Sequence, residues 1–126
     1  MRDNSELMVI TKSKEIISYI FSIMENSPKK FRFTLFAKLE NVSLEVLESL
    51  ILANETRLGI CEADNMKRKQ LQRTAIAKLK ILDAFSMIAR EQKCILPKQY
   101  EVMTRLIRDC LNLTGAWIKS DQQRLR

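Results

Sequence analysis

The side chains of this chain whose types and spacing could do chemistry are basic, and six of them are concentrated in residues 67–80. No acidic residue interrupts positions 65–82. At about 100° per residue, Lys69, Arg73 and Lys80 share one side of a helix, opposite a broad apolar face. Such a stripe can bind phosphate groups or an acidic protein. The simpler interpretation is a charged helix face that contacts only solvent. The six residues are Lys67, Arg68, Lys69, Arg73, Lys78 and Lys80.

The distribution of charge along the chain bears on the partner. Residues 1–58 contain eight basic and eight acidic residues, so the net charge of +7 belongs entirely to the second half. An asymmetry of this kind informs about partners and not about the fold. Phosphate backbones and acidic protein surfaces are the complements that it favours.

Lys78 differs from the other five because the helical period places it at or beside the apolar face. One interpretation is a snorkelling lysine whose aliphatic part covers the core. The other places its ammonium group in a polar seam between subunits or at a phosphate site. Both interpretations are open at the level of the sequence.

Groups suited to catalysis or metal binding are scarce. The chain has no histidine, which removes the usual general base, the commonest metal ligand and the Glu-x-x-His motif of a ferritin-like di-metal site. Glu45 and Glu48 share a helix face, as a solvated pair would. Gly59 and Gly115 are the only glycines, so no glycine-rich phosphate loop exists. We predict no catalytic residue, no metal and no cofactor.

The composition also indicates where the protein works. The N-terminus lacks the apolar core of a signal peptide, and no stretch approaches the ~18 uninterrupted apolar residues of a membrane span. We therefore expect a soluble, cytoplasmic protein without membrane contact. Cys61, Cys94 and Cys110 are odd in number and widely spaced, so we expect reduced thiols that act as small apolar fillers.

The elements that must position the basic residues are helices. Two glycines and two prolines leave little turn chemistry for a sheet. Apolar residues at three- and four-residue steps predict helices at about 5–26, 28–58, 64–93 and 97–122. Short connections make consecutive helices antiparallel neighbours. The predicted fold class is all-α: a single domain, residues 1–126, folded as an antiparallel up-down-up-down four-helix bundle.

Several residues are expected to set the helix ends. Ser27 and Pro28 are predicted to cap and open the second helix, Gly59 to close it at the C′ position, and Asp64 to cap the third. The second helix has a wide apolar face, which indicates either burial on two sides, one of them against another subunit, or simply a central helix.

The fourth helix contains an unfavourable residue. Gly115 lies within its apolar pattern at a cost of about 1 kcal/mol relative to alanine. Close approach of another helix is the expected compensation, with Trp117 as the large apolar plug beside it.

Four segments carry a family resemblance: SPKKFRFTL at 27–35, LEVLESLILAN at 44–54, KQYEVMTRLIRDC at 98–110 and LTGAWIKS at 113–120. In order and spacing they resemble the accessory variability determinant proteins of diversity-generating retroelements, over residues from about 16 to 120. The chain departs from the family pattern in two places. LTGAW stands where many members have two glycines before the tryptophan, and SPKKF replaces an aromatic-Pro-Lys start.

The resemblance implies a bacterial, archaeal or phage-encoded basic bundle that forms a homopentameric ring and is not an enzyme. Members bind the retroelement's reverse transcriptase and engage RNA or cDNA during mutagenic copying of a template repeat. The runner-up is a similar four-helix protein linked to intervening sequences of ribosomal RNA. A protein-only helical adaptor is also compatible with the sequence, as is a nucleic-acid-binding regulator that needs no polymerase.

The residues and the resemblance lead to one hypothesis. Repeated around a ring, the basic residues of the third and fourth helices would form a large positive surface, on which phosphate contacts contribute salt-dependent affinity without base selectivity. Basic groups at a helix N-terminus oppose the helix dipole, so the cluster at residues 29–32 is also a candidate. The predicted contacts are Lys67, Arg68, Lys69, Arg73 and Lys80, then Arg105 and Arg108, then Lys29, Lys30 and Arg32, with Lys78 as a special case.

Overall fold

The computed structural model describes the backbone of residues 4–126 and the side chains of residues 8–126. A three-residue 3₁₀ turn, Lys29–Phe31, lies between the first and second helices. No β-strand occurs in residues 4–126, and the all-α prediction is confirmed. The four α-helices are α1 (Asn4–Met24), α2 (Leu35–Glu55), α3 (Glu62–Glu91) and α4 (Pro97–Arg124).

Each helix packs mainly against two neighbours, so the four helices surround one core. Contacts between α3 and α4 join opposite ends of the two helices: Arg68 with Asp121, and Arg90 with Tyr100. Contacts between α2 and α3 have the same reversed order. Helices α2, α3 and α4 therefore alternate in direction around the bundle. The basic helix α3 lies between α2 and α4.

The core is built from apolar side chains of all four helices. Trp117 is completely buried, as predicted. Burying a large apolar side chain contributes about 1.5–3 kcal/mol relative to leaving it exposed. The other large members that are almost fully buried are Ile16, Ile20, Phe36, Leu39, Leu50, Leu79, Leu82, Met103 and Ile107.

Helix α2 begins later than predicted. Ser27 does not cap a following helix, because its hydroxyl donates a hydrogen bond back to the Met24 carbonyl at 2.8 Å. Pro28 has extended backbone angles, and the 3₁₀ turn after it closes with a hydrogen bond from the Arg32 N–H to the Lys29 carbonyl. The predicted start near residue 28 is therefore wrong by about two turns.

The connection from α2 to α3 also differs from the prediction. Helix α2 ends at Glu55, so Gly59 lies beyond its C′ position, although its φ of +87° is the left-handed conformation that glycine favours. Its N–H donates to the Asn65 side chain at 2.8 Å. Cys61, not Asp64, stands at the N-cap of α3, and Asp64 lies in the first turn, where its charge complements the helix dipole. The remaining helix ends lie within two residues of the predictions.

The cysteines occupy two environments. Cys94 and Cys110 are buried free thiols, in agreement with the prediction of apolar fillers. Burial raises the pKa of Cys94 to about 11 and that of Cys110 to about 12, so both stay protonated and unreactive near neutral pH. Cys61 is exposed, and the filler prediction is wrong for this residue.

Gly115 lies on the exposed side of α4, and a Cβ atom built on it meets no atom within 4 Å. The predicted close approach of another helix is therefore wrong within the described part of the subunit. We expect Gly115→Ala to raise the free energy of unfolding by about 1 kcal/mol, because alanine has the higher helix propensity. Urea unfolding monitored by circular dichroism measures this change.

The neighbouring Ala116 is also exposed and serves as the matched control. Ala116→Gly is expected to lower the free energy of unfolding by a similar amount. A loss of stability in Gly115→Ala would instead show that another helix, such as one from a second subunit, approaches this face closely.

Candidate nucleic-acid interface

The outer side of α3 carries the predicted basic stripe. Arg73 and Lys80 are exposed and Lys69 is half-buried. The helical period places the three along one flank of α3. Among the described residues, no acidic side chain lies within ion-pair distance of any of them. Their charges are therefore available to a ligand.

The other predicted surface residues lie outside this stripe. Lys67 is exposed, and the helical period places it near the edge of α3 that faces α2. Arg105 and Arg108 are exposed on α4, where they line an open cleft of about 260 Å³ together with Tyr100. Burial raises the pKa of Tyr19 on α1 and the charge of Arg105 partly offsets that rise, so Arg105 lies on the side of α4 near α1. Lys29, Lys30 and Arg32 are exposed before α2, separate from the α3 stripe.

Arg68 is a buried residue, and its prediction as a phosphate contact is wrong. Its side chain forms a two-point ion pair with Asp121, with Nε–Oδ2 at 2.7 Å and Nη2–Oδ1 at 3.1 Å. Nη1 donates to the Thr56 carbonyl at 3.1 Å, and the guanidinium lies 5.0 Å from the centre of the Trp117 ring. These contacts occupy the group inside the subunit, so it cannot reach a ligand.

The buried pair is part of a polar network at one end of the bundle. Gln72 lies one turn after Arg68 on α3 and donates from Nε2 to Asp121 Oδ2 at 3.0 Å. Arg68 also reaches the residue that ends α2, so the network joins three helices. A buried carboxylate needs such donors, because an unpaired buried charge is strongly unfavourable. The network therefore fixes the end of the bundle from which the α3 stripe begins.

The sequence contains a signal for this pair. Asp121 follows Trp117 by four residues and therefore shares its inward face. Arg68 lies on the inward face of α3, four residues before Gln72 and seven before the buried Ala75. An acidic and a basic residue on the inward faces of two adjacent helices predict a buried ion pair. Counting the charges along one segment does not distinguish such buried residues from surface residues.

Lys78 is half-buried, and its ammonium group is paired with Glu45 of α2 at 2.8 Å. The hydrogen bond from Lys78, then its charge, lowers the pKa of the Glu45 carboxyl. This geometry favours the snorkelling interpretation, in which the aliphatic part covers the core. Because Glu45 balances its charge, Lys78 is not an independent phosphate ligand. Glu45 thus forms an ion pair between α2 and α3, whereas Glu48 is exposed.

Apolar side chains remain exposed on the outer surface. On α2, Leu44 and Ile51 keep 44% and 40% of their surface, so the wide apolar face extends beyond the core. Exposed apolar groups that continue a core in this way are typical of contact surfaces. The other large ones on the helices are Met8, Phe21, Leu52, Met66, Ile81, Met87 and Ile88.

Membrane and metal chemistry find no support among the described residues. In residues 4–126, no helix is long and apolar enough to cross a membrane. The same part of the chain has no group of three or more cysteine, aspartate or glutamate side chains placed to hold a metal ion.

Comparison with known families gives a match over most of the chain. The model of the family described as bAvd-like matches residues 7–121, which is nearly the whole chain. No curated protein matches the chain. The matched region covers the greater part of each of the four helices and every basic residue of the predicted interface.

Proposed function

The chain belongs to the bAvd-like family, and from this premise we propose that it binds a reverse transcriptase and nucleic acid as a non-catalytic accessory protein of a diversity-generating retroelement. In this proposal, the basic surface of α3 and α4 contacts the phosphates of template RNA or cDNA. The protein supports the mutagenic copying of a template repeat and performs no chemical step itself.

The observation that carries the nucleic-acid part is the stripe of available cations on α3. Lys69 and Lys80 are eleven residues apart, which is about 16 Å at a rise of 1.5 Å per residue. That length matches about five phosphates of one strand at 3.4 Å of duplex axis each. Arg73 lies between them on the same flank, so one strand can contact all three. Contacts of this kind position a nucleic acid without reading its sequence.

Assembly is the second part of the proposal. The exposed apolar residues of α2 and α3, such as Leu44, Ile51 and Ile88, supply surface that another copy can cover. A homopentameric ring would repeat the α3 stripe five times and multiply the phosphate contacts. A monomer mass in light scattering at working concentrations would exclude the ring.

Affinity purification tests the polymerase part directly. We expect the tagged protein to retain a co-expressed reverse transcriptase of a diversity-generating retroelement after nuclease treatment. Survival under nuclease is required because both proteins can also be held together by shared RNA. The control is an unrelated reverse transcriptase, which should not be retained. Loss of the polymerase on nuclease treatment, or equal retention of the unrelated enzyme, would contradict a specific protein contact.

A further inference from the structure

One end of the bundle presents an exposed aromatic ring among cations. Phe33, in the segment between α1 and α2, keeps 88% of its surface exposed, more than any other large apolar side chain described. Lys29, Lys30 and Arg32 precede it and are exposed. No acidic residue occurs between Glu25 and Glu40, so all charged residues close to the ring in the sequence are basic.

The backbone of this segment is held in place. The Phe31 N–H donates to the Pro28 carbonyl at 3.2 Å, and the Thr34 N–H donates to the Phe31 carbonyl at 3.3 Å. Phe31 is half-buried and packs against the core, with the Lys30 ammonium 5.0 Å from the centre of its ring. Of the two phenylalanines, Phe31 therefore anchors the segment and Phe33 remains available.

A second connection contributes to the same end. Lys38 near the start of α2 lies 5.6 Å from the Phe85 ring near the end of α3, so the connection before α2 is next to the connection after α3. That second connection adds the exposed Lys93 and the apolar Leu96, which is 63% exposed, and Lys98 is exposed in the first turn of α4. The exposed basic residues of these two segments thus outnumber the exposed Glu25, Glu91 and Glu101 at this end of the bundle.

We propose that this end of the bundle binds single-stranded nucleic acid, with an unpaired base stacked on Phe33 and the neighbouring phosphates contacted by Lys29, Lys30 and Arg32. Aromatic rings beside cations are the general means by which proteins bind single strands without sequence preference. A duplex does not fit this arrangement, because its bases are already stacked on each other. The inference rests on the proposed nucleic-acid function and adds the strand type and the second contact region.

The surroundings of the ring favour a base over a protein partner. Aromatic hot spots of protein interfaces lie in well-packed, fully desolvated patches. The nearest neighbours of Phe33 in the sequence are instead charged or polar: Arg32 before it and Thr34 after it, both exposed. A nucleic-acid strand supplies the apolar face of a base and the phosphate charges together.

Binding of two oligonucleotides of equal length separates stacking from charge. One is an intact single strand and the other carries abasic positions, with the same number of phosphates. We expect Phe33→Ala to weaken binding of the intact strand about 5- to 150-fold and to leave binding of the abasic strand unchanged. Phe33→Trp should restore the affinity. Phe21→Ala, which removes another exposed phenylalanine, is the matched control and should have no effect.

Three outcomes overturn the inference: an unchanged affinity of Phe33→Ala for the intact strand, an equal loss for both strands, or a loss of oligomer mass or polymerase retention without a base-dependent effect. The last outcome would assign Phe33 to a protein contact. Failure of the wild-type protein to bind either strand would instead refute the proposed nucleic-acid function itself. The two failures are therefore distinguishable.

Discussion

Replacing Arg68 with alanine is expected to lower the free energy of unfolding by about 3–5 kcal/mol, the range found when one partner of a buried ion pair is removed. The change leaves the Asp121 carboxylate buried in the network that joins α2, α3 and α4, with Gln72 as a hydrogen-bond donor and the more exposed Arg124 as a cation at 3.9 Å. It also removes the cation that packs on the Trp117 ring. Urea unfolding monitored by circular dichroism at about 222 nm, where the signal follows helix content, measures the loss.

Two further variants show that burial and pairing cause this effect. Arg73→Ala makes the same change at an exposed position of α3 and should alter stability by no more than about 0.5 kcal/mol. The double variant Arg68→Met with Asp121→Leu replaces the pair by apolar groups and should recover much of the loss, because neither charge remains unpaired. A loss below about 1 kcal/mol in Arg68→Ala would contradict the buried network.

Reversing the charge of Lys69, Arg73 and Lys80 together to glutamate is expected to weaken RNA binding by more than about 100-fold. Contacts worth about 1 kcal/mol each account for that factor, and the introduced negative charges repel phosphates in addition. Arg73 and Lys80 are exposed, and Lys69 is half-buried without an acidic partner among the described residues, so helicity and oligomer mass should stay as in the wild type. Fluorescence anisotropy with a labelled RNA measures the affinity, and light scattering measures the mass.

A control with the same change in net charge tests whether position matters. Lys14 of α1, Lys38 of α2 and Lys119 of α4 are exposed and lie on other helices than the α3 stripe. Their simultaneous change to glutamate should reduce affinity only through the weaker overall field. Equal losses in the two triple variants would show that net charge alone drives binding. An unchanged affinity of the α3 variant, with retained binding of an acidic protein, would favour a protein-only adaptor.

The fold was predictable because its determinants are local. Few turn-forming residues and long apolar periodicities leave helices as the economical structure, and most helix ends were located to within two residues. The start of α2 was not located, because Ser27 and Pro28 are residue types that often begin a helix. In the structure they precede a 3₁₀ turn instead. Gly115 shows a similar limit, since a sequence does not reveal whether its neighbourhood is occupied.

The candidate site was predictable in part. The flank that contains Lys69, Arg73 and Lys80 follows from the helical period, and the structure places these side chains at the surface as expected. Arg68 was misassigned because its partner, Asp121, lies 53 residues away in the sequence. Phe33 was missed as a candidate binding residue, although an aromatic residue directly after a run of cations, in KKFRF, was the available signal.

The most direct test of the phosphate-contact role of α3 is the salt dependence of RNA binding. The wild-type protein and a variant with Lys69→Gln, Arg73→Gln and Lys80→Gln are titrated with a single-stranded RNA over a range of salt concentrations. Loss of three phosphate contacts should reduce the magnitude of the slope of log Kd against log salt by about 2. An unchanged slope would contradict the assignment of these three residues to the nucleic-acid interface.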